Sequence, residues 1–319
     1  MPDLVHSGGE ERQRDLRKTI LLPASVGIAV LLACVVALLA ALAAAPAASA
    51  ASGNGASFAV RCDFSHRAAD DPIVHPNNPG AAHSHDFFGN KTTNADPTYE
   101  NMLEKATTCT RLEDTAAYWI PTVKWNGQDL TSNRAVFYYR AGGKDHTTVK
   151  PFDKNLKVIT ERVRWDCGTD DGKEGSQDPP KQCKSGVLGV RIVFPDCVAK
   201  DSSGGQVTDS TLIDPTDTSH RSHMARSVLQ SDGSRRCPDA HPIPVPTLTV
   251  NANFPIPKAS GTVTVSSDHQ GDPPGSTMHS DFWNTWNQAE LERLVVGCIN
   301  NVPPSDPRPE QCRAPTATA

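Results

Sequence analysis

The chain has 319 residues, a formal net charge of -5 and nine cysteines. Only 21% of residues are charged, and the 26 prolines and 22 glycines follow no triplet period. This excludes a collagen-like chain, a coiled coil and an acidic disordered tail, and the acidic balance gives no electrostatic case for binding nucleic acid.

Residues 1–19 are polar and include Arg12, Arg14, Arg17 and Lys18. Residues 20–45 carry no charge and are mostly Leu, Val and Ala; Pro46-Ala-Ala-Ser-Ala50 follows. A basic lead, an apolar stretch and a small-residue cut site read as a secretory signal peptide over residues 20–50. The alternative is a retained transmembrane signal anchor, because the same run is long enough to span a bilayer. Either way residues 51–319 are expected outside the cytoplasm. They are secreted or held on the outer face of the cytoplasmic membrane, touching it only through residues 20–45.

Cys34 lies in the apolar run. The other eight cysteines are Cys62, Cys109, Cys167, Cys183, Cys197, Cys237, Cys298 and Cys312. An even number in an exported chain implies disulfides, and the absence of any Cys-x-x-Cys pair speaks against a thiolate metal site. Short loops favour Cys167–Cys183 and Cys298–Cys312, which leaves Cys62–Cys109 and Cys197–Cys237.

Residues 51–57 form a Gly/Ser/Ala linker. Residues 58–62 alternate and predict a strand, and the Pro-, Asn-, Gly- and His-rich residues 70–97 predict a loop. Residues 119–125 predict a strand that turns at Asn126-Gly127 into a partner strand over 134–140. Further strands are expected over 156–165, 189–194, 247–253 and 262–265, with an exposed insertion at 168–182. One helix is expected over 287–299, where Leu291, Leu294, Val295 and Cys298 recur at helical spacing. Residues 301–319 form a Pro-rich tail. The fold class is mainly β, antiparallel and β-sandwich-like, with a C-terminal helix and long disulfide-stapled loops; α+β is the fallback. One domain over about residues 58–300 accounts for the pattern.

Ten of the eleven histidines follow residue 50. In the densest segment, His83 and His85 face the same way if extended, with Asp86 next to them to orient a ring. A second group holds His220 and His223, a third His241, and a fourth pairs His279 with Asp281. Candidate acid/base residues are His83, His85, Asp86, His279 and Asp281. Asp71, His220, His223 and His241 are candidate binding residues. His83, His85 and His279 are the candidate ligands for a divalent metal. The ordinary alternatives are surface histidines in loops, and Trp283 and Trp286 as core residues. No nucleophile elbow, phosphate loop or His-Glu-x-x-His helix is present.

The ordered motifs resemble the DUF1996 family of secreted fungal and bacterial domains. They are Asp71-Pro-Ile-Val-x-Pro, His83-x-His85, Trp119-Ile-Pro-Thr, Phe137-Tyr-Tyr-Arg140 and Val193-Phe-Pro-Asp-Cys197. After them come Ser219-His-x-Ser-His-Met224, Cys237-Pro-x-x-His-Pro and His279-Ser-Asp-Phe282. The resemblance covers about residues 58–300 and implies an exported single domain whose histidine motifs share a pocket. The insertion at 168–182 and Asn77-Asn78-Pro79 depart from the family pattern. Three functions remain open: action on cell-wall or extracellular glycans through a His/Asp pocket, non-catalytic glycan or wall binding, and extracellular metal binding. In the second, aromatics such as Trp125, Tyr138 and Tyr139 would stack on sugars.

Overall fold

Alternation along the chain builds one large sheet. In β1 (Ser57–Ala68), Phe58, Val60 and Cys62 are buried and Arg61 and Asp63 alternate with them toward solvent. The computed structural model describes residues 56–168, 175–301 and 310–313. The basic lead, the apolar run over 20–45, most of the linker and residues 169–174 of the insertion lie outside the described residues. So do residues 302–309 and 314–319 of the tail. Among the described residues no helix is long and apolar enough to cross a membrane.

After β1 come β2 (His85–Gly89), the short helix α1 (Tyr99–Met102), β3 (Ala117–Pro121), β4 (Val123–Trp125), β5 (Gln128–Asp129) and β6 (Arg134–Arg140). Next are β7 (Lys157–Thr160), β8 (Val163–Asp166) and β9 (Val187–Val193). Five short strands follow: β10 (Cys197–Val198), β11 (Met224–Ala225), β12 (Val228–Leu229), β13 (Arg235–Arg236) and β14 (Ile243–Pro244). The chain then forms β15 (Thr247–Pro255), β16 (Val263–Val265), β17 (Ser280–Trp283) and helix α2 (Gln288–Val295).

Nine strands form the main sheet, in the order β7-β17-β3-β2-β1-β6-β15-β9-β8, with every pairing antiparallel. β1 belongs to both halves. Its first part pairs with β6, its second with β2, and the register shifts between Phe64 and His66. Such a shift bends a strand and lets a sheet turn a corner. The halves then face one another: Tyr118 of β3 stacks on Phe137 of β6 with ring centroids 3.8 Å apart, and Phe282 of β17 meets Phe194 beyond β9. The fold is therefore mainly antiparallel β with a C-terminal helix, as expected. Asn287 caps α2 by accepting from the Glu290 amide, and the helix buries Leu291, Leu294 and Val295. It ends earlier than the expected 287–299, passing into a wider turn over Val296–Asn300.

Several expected elements divide differently. Residues 119–125 break at Thr122, so Trp119 and Trp125 sit in different sheets. The Asn126-Gly127 turn is present, with φ of 50° and 80°, but it closes onto β5 rather than residues 134–140. β6 instead lies between β1 and β15, where Ala135, Phe137 and Tyr139 are fully buried. Residues 156–165 break at Glu161-Arg162 into β7 and β8, at opposite edges of the sheet. The expected loop at 70–97 contains β2, a buried strand that begins with two polar residues. Residues 280–283 form β17, and Trp283 and Trp286 are core residues.

All four expected disulfides form: Cys62–Cys109, Cys167–Cys183, Cys197–Cys237 and Cys298–Cys312. They fit an oxidising compartment. Sequence separations of 47 and 14 residues for Cys62–Cys109 and Cys298–Cys312 predict unequal costs on removal. In chemical denaturation, the Cys62→Ala/Cys109→Ala variant should lose about 1 kcal/mol more than Cys298→Ala/Cys312→Ala, because the longer loop constrains the unfolded chain more.

A polar network crosses the core. The Trp286 indole N–H donates to Tyr139 Oη at 3.1 Å, the Tyr118 and Tyr139 hydroxyls share a 2.6 Å bond, and Tyr118 donates to Asp114 Oδ2 at 2.9 Å. Burial pushes the Asp114 carboxyl well above its ordinary range, against the Tyr118 and Ala116 hydrogen bonds. A raised folded-state value gives stability that is full below the ordinary carboxylate range and declines as pH rises toward the folded value. Asp114→Asn keeps the shape without the charge. Its melting temperature relative to wild type should therefore rise between pH 4 and pH 7, and a flat difference would refute the raised Asp114 carboxyl.

Candidate metal centre

β2 alternates faces. Phe88 enters the main core, while His85 and Phe87 project to the other side of the sheet. There Phe87 packs with Trp119, Trp283, Ile159, Ile73, Met102 and Ala117 in a second, smaller apolar cluster. Asp281 of β17 sits opposite both Trp119 of β3 and Ile159 of β7, and Trp119 sits opposite Phe87. His85 pairs with Pro121. Continuing the register of β17 brings His279, two residues before Asp281, level with Pro121 and thus with His85. Two distant sequence motifs therefore converge beside the second cluster.

The convergence is close. One ligand atom from each of His83, His85 and His279 lies within 4.8 Å of the others, and the same holds for Asp71, His85 and Asp281. The His83 and His85 ring centroids are 4.2 Å apart. His85 Nδ1 lies 2.9 Å from the Asp70 carbonyl and His279 Nδ1 lies 2.9 Å from the Thr277 carbonyl. A carbonyl only accepts, so both Nδ1 atoms carry the proton and donate. In the neutral rings both Nε2 atoms then present lone pairs, and they face each other at 3.5 Å.

The surroundings keep the imidazoles neutral. Burial, then His279, lowers His83 to about 4. Burial, then His83 and His279, holds His85 well below its ordinary value, and burial also lowers His279. His83 Nε2 is buried without a hydrogen-bond partner among the described residues. Both oxygens of Asp281 are likewise unpartnered, although the residue is only 1% exposed. Its nearest cation candidate is His279, with Nε2 3.7 Å from Oδ2. Burial first, and the Asp71 charge second, push the Asp281 carboxyl well above its ordinary range. Asp71 is better satisfied, since its Oδ1 accepts from the Ile73 and Val74 amides at 2.9 and 3.0 Å.

Two imidazoles whose facing Nε2 atoms carry lone pairs, a third whose buried Nε2 is unpartnered, and two carboxylates make a donor set suited to a cation. His and carboxylate ligands suit zinc and similar divalent metals. The backbone carbonyls behind His85 and His279 fix the ring tautomers, as the groups that accept from the far nitrogen of a metal-binding imidazole do. The remaining triad of close donors, Cys62, Cys109 and Asp114, contains a disulfide and offers no thiolate.

The other candidates lie elsewhere. Asp86 points to the opposite face from His85, as strand alternation requires. Its Oδ1 accepts from Arg67 Nε at 2.6 Å and from Thr122 Oγ1 at 3.0 Å, and its Oδ2 accepts from Arg67 Nη2 at 3.0 Å. Asp86 is thus a buried ion-pair residue and orients no imidazole. His220, His223 and His241 do not join the group. His220 Nδ1 lies 3.7 Å from Asp209, His223 Nε2 bonds the Lys157 carbonyl at 2.7 Å, and His241 Nε2 bonds the Ser222 carbonyl at 2.8 Å. The one pocket their motifs suggested is therefore not formed. The sequence offered no signal for the carbonyls of Asp70 and Thr277, because backbone groups carry no residue identity.

No curated protein and no solved structure matches the chain. The DUF1996 family, described as a domain of unknown function, matches residues 71–286. That span is shorter than the 58–300 read from the motifs, leaving out all of β1 and all of α2. It contains Asp71, His83, His85, His279 and Asp281, and it exceeds half of the chain: the protein belongs to the DUF1996 family.

Proposed function

We propose that this is an extracellular metal-binding domain holding one divalent cation between His83, His85, His279 and Asp281, with Asp71 beside it. The observation that carries this reading is the pair of facing Nε2 lone pairs at 3.5 Å, each fixed by an Nδ1–H bond to a carbonyl. Two such lone pairs repel unless a cation lies between them, and a Lewis acid removes the repulsion while satisfying Asp281. A bound divalent ion would supply Lewis-acid character there. The protein residues would hold the ion, fix the ring tautomers and keep an apolar wall around it.

Action on glycans has less support. Asp71 and Asp281 approach within 4.8 Å, close to the separation of about 5 Å used by retaining glycosidases. Yet they are only 4% and 1% exposed, which leaves little carboxylate surface for a sugar ring. Trp125 and Tyr139 are buried, and the Arg140 guanidinium covers Tyr138 at 4.2 Å, so these aromatics offer no open stacking platform.

Metal analysis tests the proposal. Purified residues 51–319 should carry about one divalent ion per chain by mass spectrometry. His83→Ala should lose at least tenfold in affinity while its far-UV spectrum is retained, because His83 is partly exposed. A folded wild-type domain that binds neither zinc nor another divalent ion at micromolar concentration would refute it.

A further inference from the structure

A cleft of about 450 Å³ runs along the C-terminal end of β7, lined by Thr160, Glu161, Arg162, Arg221, Arg226 and neighbouring apolar residues. β7 is the edge strand beside β17, and the cleft residues Ile159 and Thr160 pair with Asp281 and Ser280. The cleft therefore lies one strand from the metal centre, and the Arg221 and Glu161 charges are felt at both His279 and Asp281.

Three guanidinium groups face one carboxylate in this cleft. Arg221 is paired with Glu161 at 2.7 Å, and both are exposed. Among the described residues no carboxylate lies within ion-pair distance of Arg162 or Arg226. Arg226 is half-buried and held in place by neutral acceptors. Its Nη2 donates to Thr160 Oγ1 at 2.8 Å and to the Val193 carbonyl at 3.0 Å. Both bonds use one nitrogen of a group with five N–H donors. Asp196 acts on Arg226 from a distance but is committed to Lys144. Burial and the nearby Arg162 charge lower Arg226 to about 10, which leaves it cationic at neutral pH. A fixed, partly desolvated guanidinium with a second cation beside it, in an open cleft, is the arrangement that recognises oxyanions.

We propose that this cleft is an oxyanion site that takes the phosphate or carboxylate group of an anionic ligand. The inference stands apart from the metal reading, since none of its residues is a proposed ligand.

The test uses metal-free, chelator-treated domain at low ionic strength, titrated with inorganic phosphate and, separately, with acetate by NMR. At least one anion should bind saturably with a millimolar or tighter Kd, and the tighter of the two names the ligand's anionic group. Arg162→Gln should weaken binding at least fivefold. Glu161→Gln should tighten it severalfold by releasing Arg221, a gain that no loss of folding would produce. Both residues are exposed, so neither change threatens the fold. His83→Ala should leave anion affinity within twofold of wild type. Absence of saturable binding, or binding that responds to neither Arg162→Gln nor Glu161→Gln, would overturn the proposal. So would binding lost in His83→Ala alone, which would place the anion at the histidine centre.

Discussion

Asp281→Asn should abolish tight divalent-cation binding and at the same time stabilise the metal-free domain. The two effects have one cause. The Asp281 carboxylate is fully enclosed, has no hydrogen-bond partner among the described residues and lies beside Asp71. Without a cation this arrangement costs free energy, because burying an uncompensated charge is unfavourable. An amide of the same shape removes the charge, so the metal-free melting temperature should rise by several degrees at pH 7, for a gain of about 1–3 kcal/mol. The gain should shrink as pH falls into the ordinary carboxylate range, because burial raises the Asp281 carboxyl and the unfolded chain takes up the same proton only there, so the wild type no longer carries the penalty. Wild type, in contrast, should gain about 4 kcal/mol when free metal exceeds its Kd a thousandfold, and the variant should gain nothing. Calorimetric melts with and without chelator read both effects. A variant that binds metal within threefold of wild type, or that melts lower without metal, would remove Asp281 from the centre.

Asp196→Ala should be among the most damaging single changes outside that centre. Lys144 and Asp196 form an ion pair whose side chains are 2% and 6% exposed. Asp196 also accepts from the Ser227 amide and hydroxyl and from Thr247 Oγ1, so one carboxylate ties the Lys144 and Ser227 loops to the start of β15. Burial drives Lys144 below the usual amine range, while the Lys144 charge and these donors hold Asp196 below the usual carboxylate range despite its own desolvation. Removing one partner strands the other, at a cost of about 3–5 kcal/mol. Lys144→Met/Asp196→Leu should recover much of that loss, because the pair's attraction only offsets its desolvation. Urea denaturation of the single and double variants measures this. A double variant as unstable as the single one would mean the pair is net stabilising.

Local rules were legible where each residue's environment depends on its sequence neighbours. The buried strand β6, the Asn126-Gly127 turn and the amphipathic stripe of α2 follow from spacing alone, and loop length in an oxidising compartment favours two of the four disulfides, Cys167–Cys183 and Cys298–Cys312. The candidate centre was legible in its types and not in its membership. His83 and His85 share a face because they are two residues apart in extended chain, and the same holds for His279 and Asp281. Asp86 was misjudged by the same rule left half-applied: in a strand, the residue after a ligand points away from it. β2 was read as a loop because its polar first residues face an apolar cluster and an ion pair that lie far away in sequence.

The sequence by itself determined the β character, the cysteine framework and the two histidine pairs, since these rest on short-range periodicity and composition. Only the tertiary structure decided which pairs meet. The strand order β17-β3-β2 and its antiparallel register bring residues nearly two hundred positions apart to a 3.5 Å approach. It likewise sent Asp86 to Arg67, kept His220, His223 and His241 apart from the centre, and gathered Arg162, Arg221 and Arg226 at one edge. Long-range register is set by the summed burial of whole strands, and no single motif encodes it.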